Sequence, residues 1–225
     1  MRNFTKTSLS LATAGLLIAG LAACSAPADA AGSADNSSSS SKEATPKAVA
    51  SIPALSGVDT SVLLDGDFAA ALTSLGLTPG TVGTATLTDG SLHFPITGGN
   101  VDYYDPAEDY RPFVQGSIEH EGSGFSLTAG ETTVELTNFT IDPGTSKLFG
   151  DVTVNGESAA TQVLLFNLYG GTLKPLQMDG DNAILEGTTV HISAEAAGLL
   201  NDTFMTDAVA DQLLVGIAKI TVATK

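Results

Sequence analysis

The chain has 225 residues and a formal net charge of −16, with 25 acidic residues against nine basic ones. From residue 51 onward, 22 acidic side chains stand against five basic ones. This excess argues against nucleic acid and anionic headgroups as partners, because both need a basic surface. The single cysteine excludes a disulfide within the chain.

Residues 1–23 are predicted to be a bacterial secretory signal peptide. Arg2 and Lys6 form a basic region, an apolar stretch runs from Leu9 to Ala23, and the run LAAC ends at Cys24 in the form of a lipobox. The small residues suit the signal peptidase, and the thiol accepts diacylglycerol. We therefore expect an exported protein held on the extracytoplasmic face of the cell membrane by a lipid on Cys24. An ordinary signal peptide with an incidental cysteine is the alternative.

Residues 24–50 are predicted to be the lipidated cysteine followed by a disordered tether. The stretch is rich in Ser, Ala and Pro and has no apolar periodicity, so it cannot bury enough surface to offset the entropy of ordering. A flexible chain of this length has a root-mean-square reach of roughly 28 Å.

Residues 51–225 are predicted to form one all-β domain, an antiparallel β-sandwich or barrel with two short helices. Short runs in which apolar and polar residues alternate are separated by Gly-rich turns such as Asn155-Gly156. The alternating runs are 92–96, 118–120, 134–136, 152–154 and 190–192. Two nearly continuous apolar runs, Val163–Leu168 and Leu213–Val222, are predicted to be buried strands, the first of them central in the sheet.

Two segments have the pattern of short helices. Asp67 is predicted to cap a helix over residues 68–75 that ends at Gly76. Ser193 is predicted to cap a second helix over residues 194–200, which ends at Asn201.

No catalytic motif stands out, and no catalytic residue is assigned. The sequence lacks a GxSxG elbow, an HExxH pair, a phosphate-binding Gly-rich loop and a CxxC pair. Strand parity places His93 and His191 on the solvent face. It places His120 on the face of its apolar neighbour Ile118, either as a hydrogen-bonded core residue or as a ligand.

The segment from Asp102 to Arg111 is predicted to be a long loop with a recognition role. It holds three of the four tyrosines, Tyr103 and Tyr104 among them, and four acidic residues. Its carboxylates can gather Ca²⁺ or, if two of them lie about 5 to 10 Å apart in a cleft, hydrolyse a glycan of the cell wall. A solvated loop that covers one end of the domain is the alternative, and the presence of a metal is left open.

The succession GSLHFPITGG, GSIEHEGSG, TTVELTNFTID, LFGDVTVNG and TTVHISAEAAGLL resembles that of Hta-type haem-uptake domains. The resemblance covers about residues 60–205 and implies a β-rich fold with short helices and capture of haem. It also implies a tyrosine near the first helix as iron ligand and a histidine at the position of His120. The first helix here contains no tyrosine, so Tyr103 or Tyr104 has to supply the ligand, and Arg111 has to offset the acidic surface near the propionates.

Three functions follow as hypotheses. The first is a membrane-anchored binding module for haem or another small ligand, with His120, Tyr103, Tyr104 and Arg111 as candidate site residues. The second is a structural envelope lipoprotein with a protein or glycan partner. The third is a cell-wall hydrolase, which the absence of tryptophan disfavours because the usual sugar-stacking side chain is missing.

Overall fold

A computed structural model of the protein describes residues 46–225. The strands are β1 (Ala50–Ile52), β2 (Val58–Leu64), β3 (Thr78–Gly83), β4 (Thr86–Thr88), β5 (Ser91–Pro95), β6 (Gly98–Tyr103), β7 (Val114–Ala129), β8 (Thr132–Asp142), β9 (Lys147–Val154), β10 (Glu157–Tyr169), β11 (Gln177–Asp179), β12 (Asn182–Ile192) and β13 (Leu214–Ala223). The helices are α1 (Gly66–Ser74) and α2 (Ala194–Phe204). Neither of these two helices is long and apolar enough to cross a membrane.

The strands form a single antiparallel sheet that curls into a half-barrel. Their order is β1-β6-β7-β8-β9-β10-β12-β13-β2-β5-β4, with β11 added beside β12 and β3 beside the second half of β7. The predicted all-β class with two short helices is confirmed. Of the two predicted architectures, the single curled sheet corresponds to the barrel rather than to two stacked sheets.

Helix α1 begins two residues earlier than predicted. Its N-cap is Asp65, whose carboxylate accepts hydrogen bonds from the backbone N–H groups of Asp67 and Phe68 at 2.9 and 3.3 Å. The predicted cap, Asp67, instead lies in the first turn, where its negative charge is favourable near the positive end of the helix dipole. Gly76 follows the helix in the left-handed region at φ 66°.

Helix α2 begins where predicted and runs longer. The Ser193 hydroxyl accepts from the Ala196 backbone N–H at 3.0 Å and donates to the Leu164 carbonyl at 2.8 Å, so it joins the helix start to β10. The helix continues past the predicted end at Asn201 to Phe204. The Asn201 side chain does not cap the helix. Its Nδ2 atom donates to the Val209 carbonyl and its Oδ1 atom accepts from the Val209 N–H, and these two hydrogen bonds anchor the following loop.

The interior of the half-barrel has two halves. The half that both helices cover is a closed hydrophobic core. Phe68 and Leu72 of α1 and Leu200 of α2 are buried there. The Phe94 and Phe139 rings meet edge to face with centroids 5.2 Å apart. Only a small cavity of about 80 Å³ remains between these groups, so this half is a packed interior.

Candidate ligand-binding groove

The other half of the half-barrel interior is an open groove with a volume of about 770 Å³. This volume lies within the range typical of small-molecule sites. None of the residues that line the groove belongs to α1 or α2. Its walls are mostly aliphatic, with Val101, Ile118, Ile141, Leu185, Ile220 and Val222 among them.

Strand pairing explains why these side chains meet. In β12 and β13, Leu185 lies opposite Ile220 and Ala183 lies opposite Val222, so four residues on one face form a continuous wall. Because side chains alternate along a strand, this face points inward while Ile217 of β13 is exposed on the outer face.

Tyr103 lies at the end of β6 and lines the groove. Its cross-strand partners are Val114 of β7 and Ala50 of β1, and its ring meets Phe113 edge to face at 6.0 Å between centroids. Burial, with a smaller contribution from the negative charge of Asp105, raises the pKa of the Tyr103 phenol above its usual value. The phenol is therefore a neutral hydrogen-bonding group at pH 7.

Arg111 lies on the groove lining and is exposed to solvent. Its guanidinium donates to the carbonyls of Glu108, Tyr110 and Pro106 and lies 5.7 Å from the centre of the Phe113 ring. These contacts fold residues 106–111 around the guanidinium. Arg111 thus shapes the loop beside the groove and also places a positive charge there.

Tyr104 is placed differently from Tyr103. Its side chain is buried and packs against the Tyr110 ring with centroids 4.7 Å apart, and it is not part of the groove lining. Burial and the neighbouring Tyr110 and Asp102 raise its pKa. Tyr104 therefore stabilises the loop from within.

His120 lies in the closed half, outside the groove, and is 1% exposed. Its Nδ1 atom is 3.4 Å from the Phe139 carbonyl and its Nε2 atom is 2.9 Å from Thr60 Oγ1. Since a carbonyl only accepts, we assign the ring proton to Nδ1, which leaves Nε2 to accept from the threonine hydroxyl. Burial lowers the pKa of His120 from about 6.5 to about 4, so the ring is neutral at pH 7.

The structure thus brings Tyr103 and Arg111 to one groove and leaves Tyr104 and His120 away from it. The other two histidines have hydrogen-bonding partners outside the groove. His93 Nδ1 is 2.6 Å from Asp59 Oδ2, and His191 Nδ1 is 2.9 Å from the Gln212 carbonyl.

The acidic loop residues show no arrangement for a metal. Among residues 46–225, no group of three or more His, Cys, Asp or Glu side chains is placed to hold an ion. One loop carboxylate, that of Asp105, accepts from the Ala107 backbone N–H at 2.9 Å, which is ordinary turn chemistry.

Sequence reasoning did not anticipate the groove wall formed by β11, β12 and the segment before them. Leu173, Leu176 and Met178 line the groove although they follow the turn at Gly170-Gly171. In the sequence, only these three large apolar residues indicate a buried role, and they lie in a stretch whose glycines and proline favour a surface loop.

Comparison with known proteins supports the fold. No protein-family model matches the chain, and no curated protein matches it. Among solved structures, the C-terminal domain of HtaA from Corynebacterium glutamicum is similar, with a TM-score of 0.51 and 16% identity over 75% of this chain and 98% of that one. The heme binding protein HtaB from the same organism matches with a TM-score of 0.48 and 9% identity, over 77% of this chain and 96% of that one.

The resemblance to Hta-type domains, inferred above from the order of strand and turn blocks, is confirmed at the level of the fold. At 16% identity the similarity defines the architecture of the domain and does not assign a ligand to it.

Proposed function

We propose that this protein is an exported, lipid-anchored binding module that takes an apolar small ligand, haem first among the candidates, in the open groove. The observation that carries the proposal is the groove itself. It has about 770 Å³ of space between aliphatic walls, with one phenol and one guanidinium on its lining. A large concave apolar site with a few convergent polar groups is the usual form of a small-ligand site.

The groove residues fit haem in three respects. The aliphatic walls suit the faces of the macrocycle, the Tyr103 oxygen can ligate ferric iron as a phenolate, and the Arg111 guanidinium can pair with a propionate. Two observations support the same ligand class. The strand and turn blocks of residues 60–205 resemble those of haem-uptake domains, and the C-terminal domain of HtaA has a similar fold.

The proposed anchoring depends on Cys24, which lies outside the described residues. The described domain joins the preceding sequence at β1, and β1 itself lines the groove. A lipid on Cys24 would therefore tether the domain to the membrane, which suits a module that receives an apolar ligand.

Haemin titration of the chain tests the ligand. We expect a saturable Soret band near one haem per chain, and we expect Tyr103→Phe to shift or abolish it because the phenolate ligand is lost. Tyr169→Phe is the matched control. Tyr169 is 48% exposed, its hydroxyl donates a hydrogen bond to Gln212 Oε1, and it does not line the groove. A flat titration with the parent protein would remove haem from the proposal.

A further inference from the structure

We propose a second ligand class for the same groove: a single long aliphatic chain, such as the acyl chain of a membrane lipid. The inference rests on the proposed function to the extent that both use the groove as a binding site. It differs in the chemistry of the ligand, and the two are separable by experiment.

The lining of the groove suits an aliphatic chain better than a multiply charged ligand. Leu185, Ile220 and Val101 are among its lining residues, and most of the lining side chains are apolar. Arg111 is the one cationic side chain on this lining, and its N–H groups already donate to three loop carbonyls. The groove therefore offers extensive apolar contact and little capacity to neutralise a second anionic group.

One apolar side chain of the groove lining and one that directly precedes the lining in sequence are exposed to the solvent. Met178, which lines the groove, is 59% exposed, and Val49, directly before β1, is 67% exposed. Exposed apolar groups beside a concave apolar surface suit a site that receives its ligand from a lipid phase.

The position of β1 supplies a source for such a chain. Ala50, Ser51 and Ile52 all line the groove, and Cys24 lies 26 residues before Ala50. A chain of that length spans at most about 90 Å, so acyl groups on Cys24 would be covalently tethered within that reach of β1. The aliphatic chain can come from this protein's own lipid or from a neighbouring membrane lipid.

Binding of the fluorescent long-chain fatty acid cis-parinaric acid tests the ligand class. The full chain carrying Cys24→Ala is used first, because it has no lipid of its own. We expect saturable binding near one probe per chain. Ile220→Asp should weaken binding by at least about tenfold because it places a carboxylate in the apolar wall. Ile217→Asp, on the outer face of the same strand, should leave binding unchanged.

A second variant tests the same prediction if Ile220→Asp does not fold. Ala183→Phe fills the groove from β12 without adding charge, and a melt that matches the parent shows that it is folded. Loss of probe binding in this folded variant supports the inference. Absence of saturable binding in the Cys24→Ala chain, or equal losses from Ile220→Asp and Ile217→Asp, overturns it.

Probe binding by the lipidated protein tests the source of the aliphatic chain. Probe binding about tenfold weaker in the lipidated protein than in Cys24→Ala identifies the protein's own lipid as the occupant. Equal binding excludes the protein's own lipid and leaves a lipid of the membrane as the source. A haemin titration on the same samples separates the two proposals. Binding of the probe with a flat haemin titration supports the aliphatic ligand alone, and the reverse result supports haem alone.

Discussion

The Nε2 atom of His120 lies 2.9 Å from the hydroxyl oxygen of Thr60, across the closed half of the half-barrel. The contact joins β7 to β2, which are not neighbours in the sheet. A buried histidine with both ring nitrogens bonded is a cross-link of the interior, and its neutral form is the one that the fold requires.

This arrangement predicts a specific acid sensitivity. The pKa of His120 is lowered to about 4 in the folded protein, so between about pH 6.5 and pH 4 the unfolded chain takes up a proton that the folded chain does not. The contribution of the neutral ring to the free energy of unfolding is complete above pH 6.5. The free energy of unfolding then falls by about 3 kcal/mol in total as the pH falls toward 4. Urea unfolding across this range measures it.

His120→Phe is the variant that isolates the effect. It should reduce the acid-induced loss of stability by about the same amount, although loss of the Thr60 contact costs roughly 1 kcal/mol at every pH. An unchanged pH slope in the variant would show that other groups cause the acid sensitivity. Because His120 lies outside the groove, haemin binding by the folded variant should match that of the parent.

Haem binding through Tyr103 should strengthen as the pH rises. The raised pKa of Tyr103 keeps the phenol protonated near neutrality, and ligation of ferric iron as a phenolate releases that proton. The affinity should therefore rise by up to about tenfold per pH unit below the pKa. Soret titrations at several pH values measure this slope. A slope that persists in Tyr103→Phe would assign the iron ligand to another group.

The Asp151 carboxylate is predicted to stabilise two irregular positions in neighbouring strands. It accepts from the side-chain amide of Asn138 at 2.9 Å and from the backbone N–H of Gln162 at 2.9 Å, and both of these residues have positive φ angles. Partial burial opposes ionisation, but these hydrogen bonds outweigh it and lower the Asp151 pKa. Asp151→Ala should lower the free energy of unfolding by about 2 kcal/mol. Asp207→Ala, at an exposed position, should change it little, and equal losses would contradict the assignment.

Lipid anchoring is predicted to depend on the thiol of Cys24. Cys24→Ala should release the protein or leave an uncleaved precursor, because the thioether cannot form. Partition between detergent and aqueous phases measures the result, with Ser25→Ala as the matched control that keeps the lipobox. If Cys24→Ala partitions as the parent does, the protein is held by something other than this lipid.

Much of the architecture was predictable because its determinants are local. Alternating side chains and Gly-containing turns indicated the β class, and Ser193 indicated the start of α2. The start of α1 was predicted two residues late, with Asp67 as the cap, because aspartate is a good cap at either position. Tertiary structure selects Asp65, whose backbone N–H donates to the Val215 carbonyl at 2.9 Å and places it at the helix start.

The candidate groove, by contrast, was decided by strand pairing. Alternation along a strand predicts that a residue such as His120 points inward. It does not specify whether the space beyond is a packed core or an open site. For His120 that space holds Thr60, 60 residues away in sequence, while Tyr103 shares the groove lining with residues of β12 and β13. These contacts join residues that are distant along the chain, so they exist only once the sheet has closed, and local sequence patterns carry no information about them.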